Sequence, residues 1–153
     1  MTTNAPAAPT ANGRVIALAH YASRAVLESV LTRHGLAFHE SVTLKAVTLA
    51  GGSVTPDRLV ADVINSLKTE EPAVREVVDG LTAAKLLEPD PADPARLRLS
   101  PAGQDLLDTT STETAEISAR LYAGIPAEDL EVAGRVLHLV TERANAELAG
   151  TTG

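Results

Sequence analysis

From about Arg14 to Arg33 the apolar residues Val15, Leu18, Ala22, Ala25, Val26 and Val30 recur at spacings of three and four. That period marks one stripe of an amphipathic helix. His34-Gly35-Leu36 ends it, with Gly35 as a left-handed cap residue and Leu36 folding back onto the last turn. A second helix covers about His39 to Ala50 and stops at Gly51-Gly52. Thr55-Pro56-Asp57 opens a third, with a capping hydroxyl, proline at the first position and an acid in the first turn. Its buried face is Leu59, Val60, Val63, Ile64 and Leu67. Thr69 caps a fourth helix, with Glu70, Glu71 and Pro72 in its first turn. Val74, Val77, Val78, Leu81 and Ala84 form its inward stripe, which turns Arg75, Glu76, Asp79 and Gly80 toward solvent.

The period then changes to two. In Ala95-Arg96-Leu97-Arg98-Leu99, alternation sends Leu97 and Leu99 to one face and Arg96 and Arg98 to the other. Ser100 offers a cap oxygen to a fifth helix, Pro101 to about Tyr122, in which Thr109 to Thr114 is a poor helical stretch. Ile125-Pro126 breaks the chain. A sixth helix over about Ala127 to Ala149 carries Leu130, Ala133, Leu137, Val140, Ala144 and Leu148 on one stripe. The fold class is therefore mostly α with a small β-wing: a winged helix-turn-helix with long terminal helices. That layout most often places a helix in the DNA major groove.

Particular residues carry a closer resemblance. Val77-Val78-Asp79-Gly80-Leu81, then Leu86-Leu87, an Asp/Pro-rich tip at Asp90 to Pro94, and Leu99-Ser100-Pro101-Ala102-Gly103 are similar to the MarR family of multiple-antibiotic-resistance regulators. The resemblance implies a recognition helix, a wing and terminal helices that interlock with a second subunit. It divides the chain into a tail over 1–13 and one domain over 14–149. The DNA-binding part is 37–107, and the dimerisation helices are 14–36 and 108–149. The apolar stripes agree, because one small winged domain cannot bury them all, and exposed stripes seek a partner.

The expected DNA-binding residues are Lys68, Thr69, Arg75, Arg96 and Arg98. Arg75 lies on the exposed side of the fourth helix, within reach of a base edge or a phosphate. Where relatives are often basic, this chain has Glu76, and Gly80 replaces their polar residue. Lys85 stands where they usually turn with glycine. Their wing has an Asp followed by two arginines; here Asp93 precedes Pro94 and Ala95, and the loop is about two residues shorter. Relatives also bind small anionic aromatic compounds between the dimer helices and the winged part. His20, Tyr21, Arg24, Phe38 and His39 are the corresponding residues, with ordinary interface packing as the plainer reading.

Composition narrows the function further. A chain of 153 residues is ordinarily one domain. No apolar run is long enough to cross a bilayer, and no secretion signal opens the chain, so a cytoplasmic location is expected. Without cysteine there is no thiolate chemistry. The four histidines are dispersed, so neither a metal nor another cofactor is expected. No nucleophile elbow or phosphate-binding glycine loop is present, so an enzyme is not expected. With two Tyr, one Phe and no Trp, the stacking platforms for single strands are missing.

The net charge is −7, and Lys68 to Arg98 holds five cations against seven anions. Phosphate neutralisation normally demands the opposite balance. Two readings follow: a dimeric, ligand-responsive regulator of double-stranded DNA, or a divergent interaction or ligand-binding module that has lost DNA affinity.

Overall fold

The computed structural model describes residues 7–151. Of the expected tail, residues 1–6 lie outside the described residues, and residues 7–12 are exposed without helix or strand. The elements are α1 (Gly13–Arg33), α2 (Phe38–Leu49), β1 (Ser53–Val54), α3 (Pro56–Leu67), α4 (Glu71–Ala83), β2 (Leu87–Asp90), β3 (Asp93–Leu99), α5 (Pro101–Tyr122) and α6 (Ala127–Thr151). They form two compact units, divided within α5 after Ala115.

In the first unit, α2, α3, α4 and the sheet enclose Leu44, Val47, Val54, Leu59, Val60, Val63, Val74, Val78, Leu81 and Leu87. The anticipated faces of α3 and α4 are the buried ones, except that Ala84 caps α4 and is exposed. On α1 the buried edge is rotated from the expected stripe. Val30 and Leu31 are buried and Leu27 packs on the core, whereas Leu18, Ala22 and Ala25 stay exposed. The expected stripe therefore finds only part of its cover within the unit.

Three helices start on a side-chain cap that accepts the N–H three residues on. Asn12 accepts from Val15 at 3.0 Å, Thr55 from Arg58 at 3.4 Å and Ser100 from Gly103 at 3.0 Å. Helix α4 departs from this, and the expected Thr69 cap is not formed. Its cap position is Glu70, with no side-chain bond. The residue three beyond Thr69 is Pro72, which has no N–H to donate. Helix ends follow the sequence more closely. Gly35 has φ +68, and the Leu36 N–H reaches back to the Leu31 carbonyl at 3.0 Å. Lys85 takes the same left-handed turn without being glycine, at φ +59.

The sheet is antiparallel in the order β1-β3-β2. Strand β1 was not anticipated, because two residues between Gly51-Gly52 and the Thr55 cap are too short to show alternation. Ser53 pairs with Arg98, and Val54 with Leu97. The wing turns tightly at Pro91-Ala92, with Asp90 opposite Asp93. The threonine-rich stretch does not break α5. Thr110, Thr112 and Thr114 donate to carbonyls four residues back at 2.7–2.9 Å, which satisfies the hydroxyls inside the helix.

Glu113 of α5 joins the end of α1 to this unit. Its carboxylate lies 3.0 Å from His34 Nε2 and accepts from Arg33 at 2.9 Å. The hydrogen bond from His34, then that from Arg33, holds its carboxyl below the ordinary range. A lowered carboxyl stabilises the fold above its unfolded-state pKa, and the contribution disappears as pH falls through the folded one. Wild type should therefore melt above Glu113→Gln at pH 7. Melting curves taken down to pH 3 should see that gap close below the ordinary carboxylate range. A gap that is constant with pH would refute the assignment.

In the second unit, α6 buries none of its residues. Val132, Val136, Leu137, Leu139 and Val140 are each 41–49% exposed. The apolar band is wider than the single expected stripe, because Val132, Val136 and Leu139 add a second row.

Candidate nucleic-acid interface

Helix α4 turns Val74, Val78 and Leu81 into the core and leaves Arg75, Glu76, Asp79 and Gly80 exposed. A Cβ at Gly80 would meet open space, so packing does not require glycine there. Arg75 is half-exposed and held by two acids. Its guanidinium reaches Glu71, one turn earlier on α4, at 2.7 Å and Asp57 on α3 at 3.1 Å. The hydrogen bond to Glu71, followed by that to Asp57, raises its proton affinity above the ordinary value.

Arg96 and Arg98 both belong to β3, as expected, but each has a different hold. Arg98 faces Glu88 across the β2–β3 pair and donates to its carboxylate at 2.7 Å and 3.0 Å. Arg96 donates to the carbonyl and hydroxyl oxygens of Ser53, and that hydroxyl donates to Asp90. The Ser53 hydroxyl and then the Ala92 N–H hold the Asp90 carboxyl below its ordinary value. At the tip, Asp93 accepts the Ala95 N–H at 3.1 Å. The tip is thus braced by two carboxylates, and the arginines stand farther down the strand.

A cleft of about 290 Å3 opens beside Arg96, lined by Ala50, Val54, Thr55, Arg58 and Arg96. Arg58 belongs to neither an apolar stripe nor an alternating strand. It carries the cap N–H of α3, and its side chain is largely exposed with Nε on Asp62 at 2.8 Å. Its place in the first turn after Thr55-Pro56 was the available signal.

Lys68 ends α3 in a left-handed conformation, and its ammonium folds back onto Asn65 at 2.6 Å. Thr69 follows it in the connection to α4, without the capping role.

The five candidate ligand residues fall into two groups. The Arg24 guanidinium sits 4.1 Å from the Phe38 ring centroid, and the Phe38 and His39 rings are 5.8 Å apart. Arg24 also pairs with Glu28 at 3.1 Å. His20 and Tyr21 are exposed one turn earlier on α1, with rings 5.6 Å apart. Among the described residues no group of three or more His, Asp or Glu could hold a metal. No described helix is long and apolar enough to cross a membrane.

No protein-family model matches the sequence, and no curated protein matches it either. Solved structures do. The reduced form of MarR from E. coli is 15% identical with a TM-score of 0.65, covering 87% of this chain and 95% of its own. CouR from Rhodococcus jostii RHA1, bound to p-coumaroyl-CoA, is 16% identical with a TM-score of 0.71, covering 84% and 90%. Bordetella bronchiseptica BpsR, whose DNA binding is regulated by 6-hydroxynicotinic acid, is 21% identical with a TM-score of 0.66, covering 88% and 98%. The shared arrangement runs through nearly the whole of each chain. With its six helices, its three-stranded wing sheet and these neighbours, the protein has the winged-helix fold of the MarR-family transcriptional regulators.

Proposed function

We propose that this protein is a dimeric, double-stranded-DNA-binding transcriptional regulator of the MarR type. Helix α4 enters successive major grooves of a two-fold site, and the wing lies along the flanking backbone. The observation that carries the reading is α4 itself. It is a short helix packed on α2 and α3 by one face, with Arg75 on the other and the arginine-bearing wing next in sequence. Residues 37–107 form the DNA-binding part, and 14–36 and 108–149 supply the dimer contacts. Arg75, Arg96, Arg98 and Lys68 contact phosphates, and Arg75 also faces bases. Thr69 contributes a backbone or hydroxyl contact from the loop before α4. A small anionic aromatic effector is recognised by Arg24, Phe38 and His39, with His20 and Tyr21 a turn away. CouR, bound to p-coumaroyl-CoA, and BpsR, whose DNA binding is regulated by 6-hydroxynicotinic acid, support the ligand-control part of this reading.

The second reading, a module that no longer binds DNA, has its own support. Arg75 and Arg98 are both already held by carboxylates. Selection from a random duplex pool separates the two. Enrichment of an inverted repeat with half-sites about one helical turn apart is expected. No enrichment even at low salt would favour the module.

A further inference from the structure

Two of the arginines proposed above to contact DNA hold carboxylates in the way they would hold a phosphate. Glu71 is the first residue of α4 and Asp57 lies in the first turn of α3, so both acids sit at helix N-termini, where backbone N–H groups attract anions. Both converge on the guanidinium of Arg75, at 2.7 Å and 3.1 Å. Glu88 takes two nitrogens of Arg98 from the opposite strand. Each acid meets its arginine through one oxygen, Oε1 of Glu71 and Glu88 and Oδ1 of Asp57, an acceptor that a phosphate oxygen can replace. Exposed ion pairs of this kind add little to stability. Asp57 is 88% and Glu71 56% exposed in their side chains, so the fold does not depend on them.

We infer that Asp57, Glu71 and Glu88 are built-in phosphate mimics that occupy Arg75 and Arg98 and so set a ceiling on DNA affinity. The inference rests on the DNA-binding reading above and deepens it. A DNA phosphate must take each guanidinium from its acid, and the displaced carboxylate stays nearby and repels the backbone. Sequence-independent binding suffers most, because phosphate contacts supply nearly all of it. Contacts to base edges are left as a larger share of the total. The excess of acid around α4 and the wing thereby becomes a device for discrimination.

The test is a set of neutral isosteres: Asp57→Asn, Glu71→Gln, Glu88→Gln and the triple variant. Fluorescence anisotropy is read on random-sequence duplex and on a selected duplex over a salt series. Each full release, Glu88→Gln for Arg98 and Asp57→Asn with Glu71→Gln for Arg75, should tighten random-duplex binding about tenfold at low salt. It should also steepen the slope of log affinity against log salt by about two per dimer, one phosphate for each subunit. For Asp57→Asn and Glu71→Gln the melting temperature should stay within about 2 °C of wild type, as expected for exposed pairs. In an Arg75→Ala background the gain from Glu71→Gln should shrink to the part due to repulsion alone, which separates release of Arg75 from a general change in charge. Wild type that binds the selected duplex, with a triple variant that binds no tighter, would overturn the inference and leave the regulator reading standing. An undiminished Glu71→Gln gain in the Arg75→Ala background would overturn it too. If neither wild type nor the triple variant binds any duplex at low salt, the DNA reading fails and the inference with it.

Discussion

Gly103→Ala is expected to cost about 3 kcal/mol or more and to lower the melting temperature by about 10 °C, the scale for forcing an atom into a packed backbone contact. A Cβ at Gly103 would stand 2.1 Å from the Leu86 carbonyl oxygen and 3.0 Å from its carbon. Neither side can easily retreat. The Leu86 oxygen accepts the Ser100 N–H at 3.0 Å, and the Ser100 hydroxyl donates to the Lys85 carbonyl at 2.7 Å. The Gly103 N–H closes the circle on the Ser100 hydroxyl. One knot thus fixes the end of the wing, the start of α5 and the turn after α4. Ser100→Ala should be milder, at about 1–2 kcal/mol, since it removes a cap and leaves the Lys85 carbonyl without its donor. Thermal unfolding followed by circular dichroism reads both. A Gly103→Ala protein melting within 2 °C of wild type would contradict the packing described.

The second large effect concerns assembly. At micromolar concentration the wild-type protein is expected to scatter light as two chains. Leu137→Glu combined with Val140→Glu should leave monomer or unfolded chain. Val132, Val136, Leu137, Leu139 and Val140 leave an exposed apolar face on α6, and exposed apolar faces mark interaction surfaces. Obligate interfaces of this type bury on the order of 2,000 Å2 or more. Charges placed in the middle of the band would be desolvated without partners. A stable, well-folded wild-type monomer, or a double variant that still dimerises, would defeat this expectation.

Much of the fold was legible because its signals are local. Thr55-Pro56-Asp57 and Ser100-Pro101 carry their capping chemistry within three residues, and both helices begin where they should. Alternation at Leu97 and Leu99 gave the wing strand for the same reason. Thr69 failed because a cap depends on its donor as well as its acceptor, and Pro72 removes the donor. Strand β1 exists through its pairing with β3, a contact 45 residues away that no local pattern records. The buried edge of α1 at Leu27 and Leu31 was missed because helical periodicity gives a band of apolar positions without saying which edge a neighbour covers.

The candidate interface was legible only as residue types. Arg75, Arg96 and Arg98 could be named from spacing, and the charge count gave the excess of acid around them. It could not say that Glu71 and Asp57 share one guanidinium, that Glu88 stands opposite Arg98, or that Ser53 relays between Arg96 and Asp90. Those pairings come from the α3–α4, β1–β3 and β2–β3 contacts, which bring together residues up to 43 positions apart.

The central proposal is that this winged helix binds duplex DNA through Arg75 and the wing arginines. A salt series on a selected duplex, read by fluorescence anisotropy for wild type, Arg96→Ala and Arg98→Ala, tests it most directly. Six to eight phosphate contacts per dimer give a wild-type slope of about −5 to −7 in log affinity against log salt. On the selected duplex each wing substitution should weaken binding and reduce that slope by about two per dimer, whereas Arg75→Ala should also alter sequence preference. Wing variants that bind like wild type, or no binding to any duplex at low salt, would contradict it.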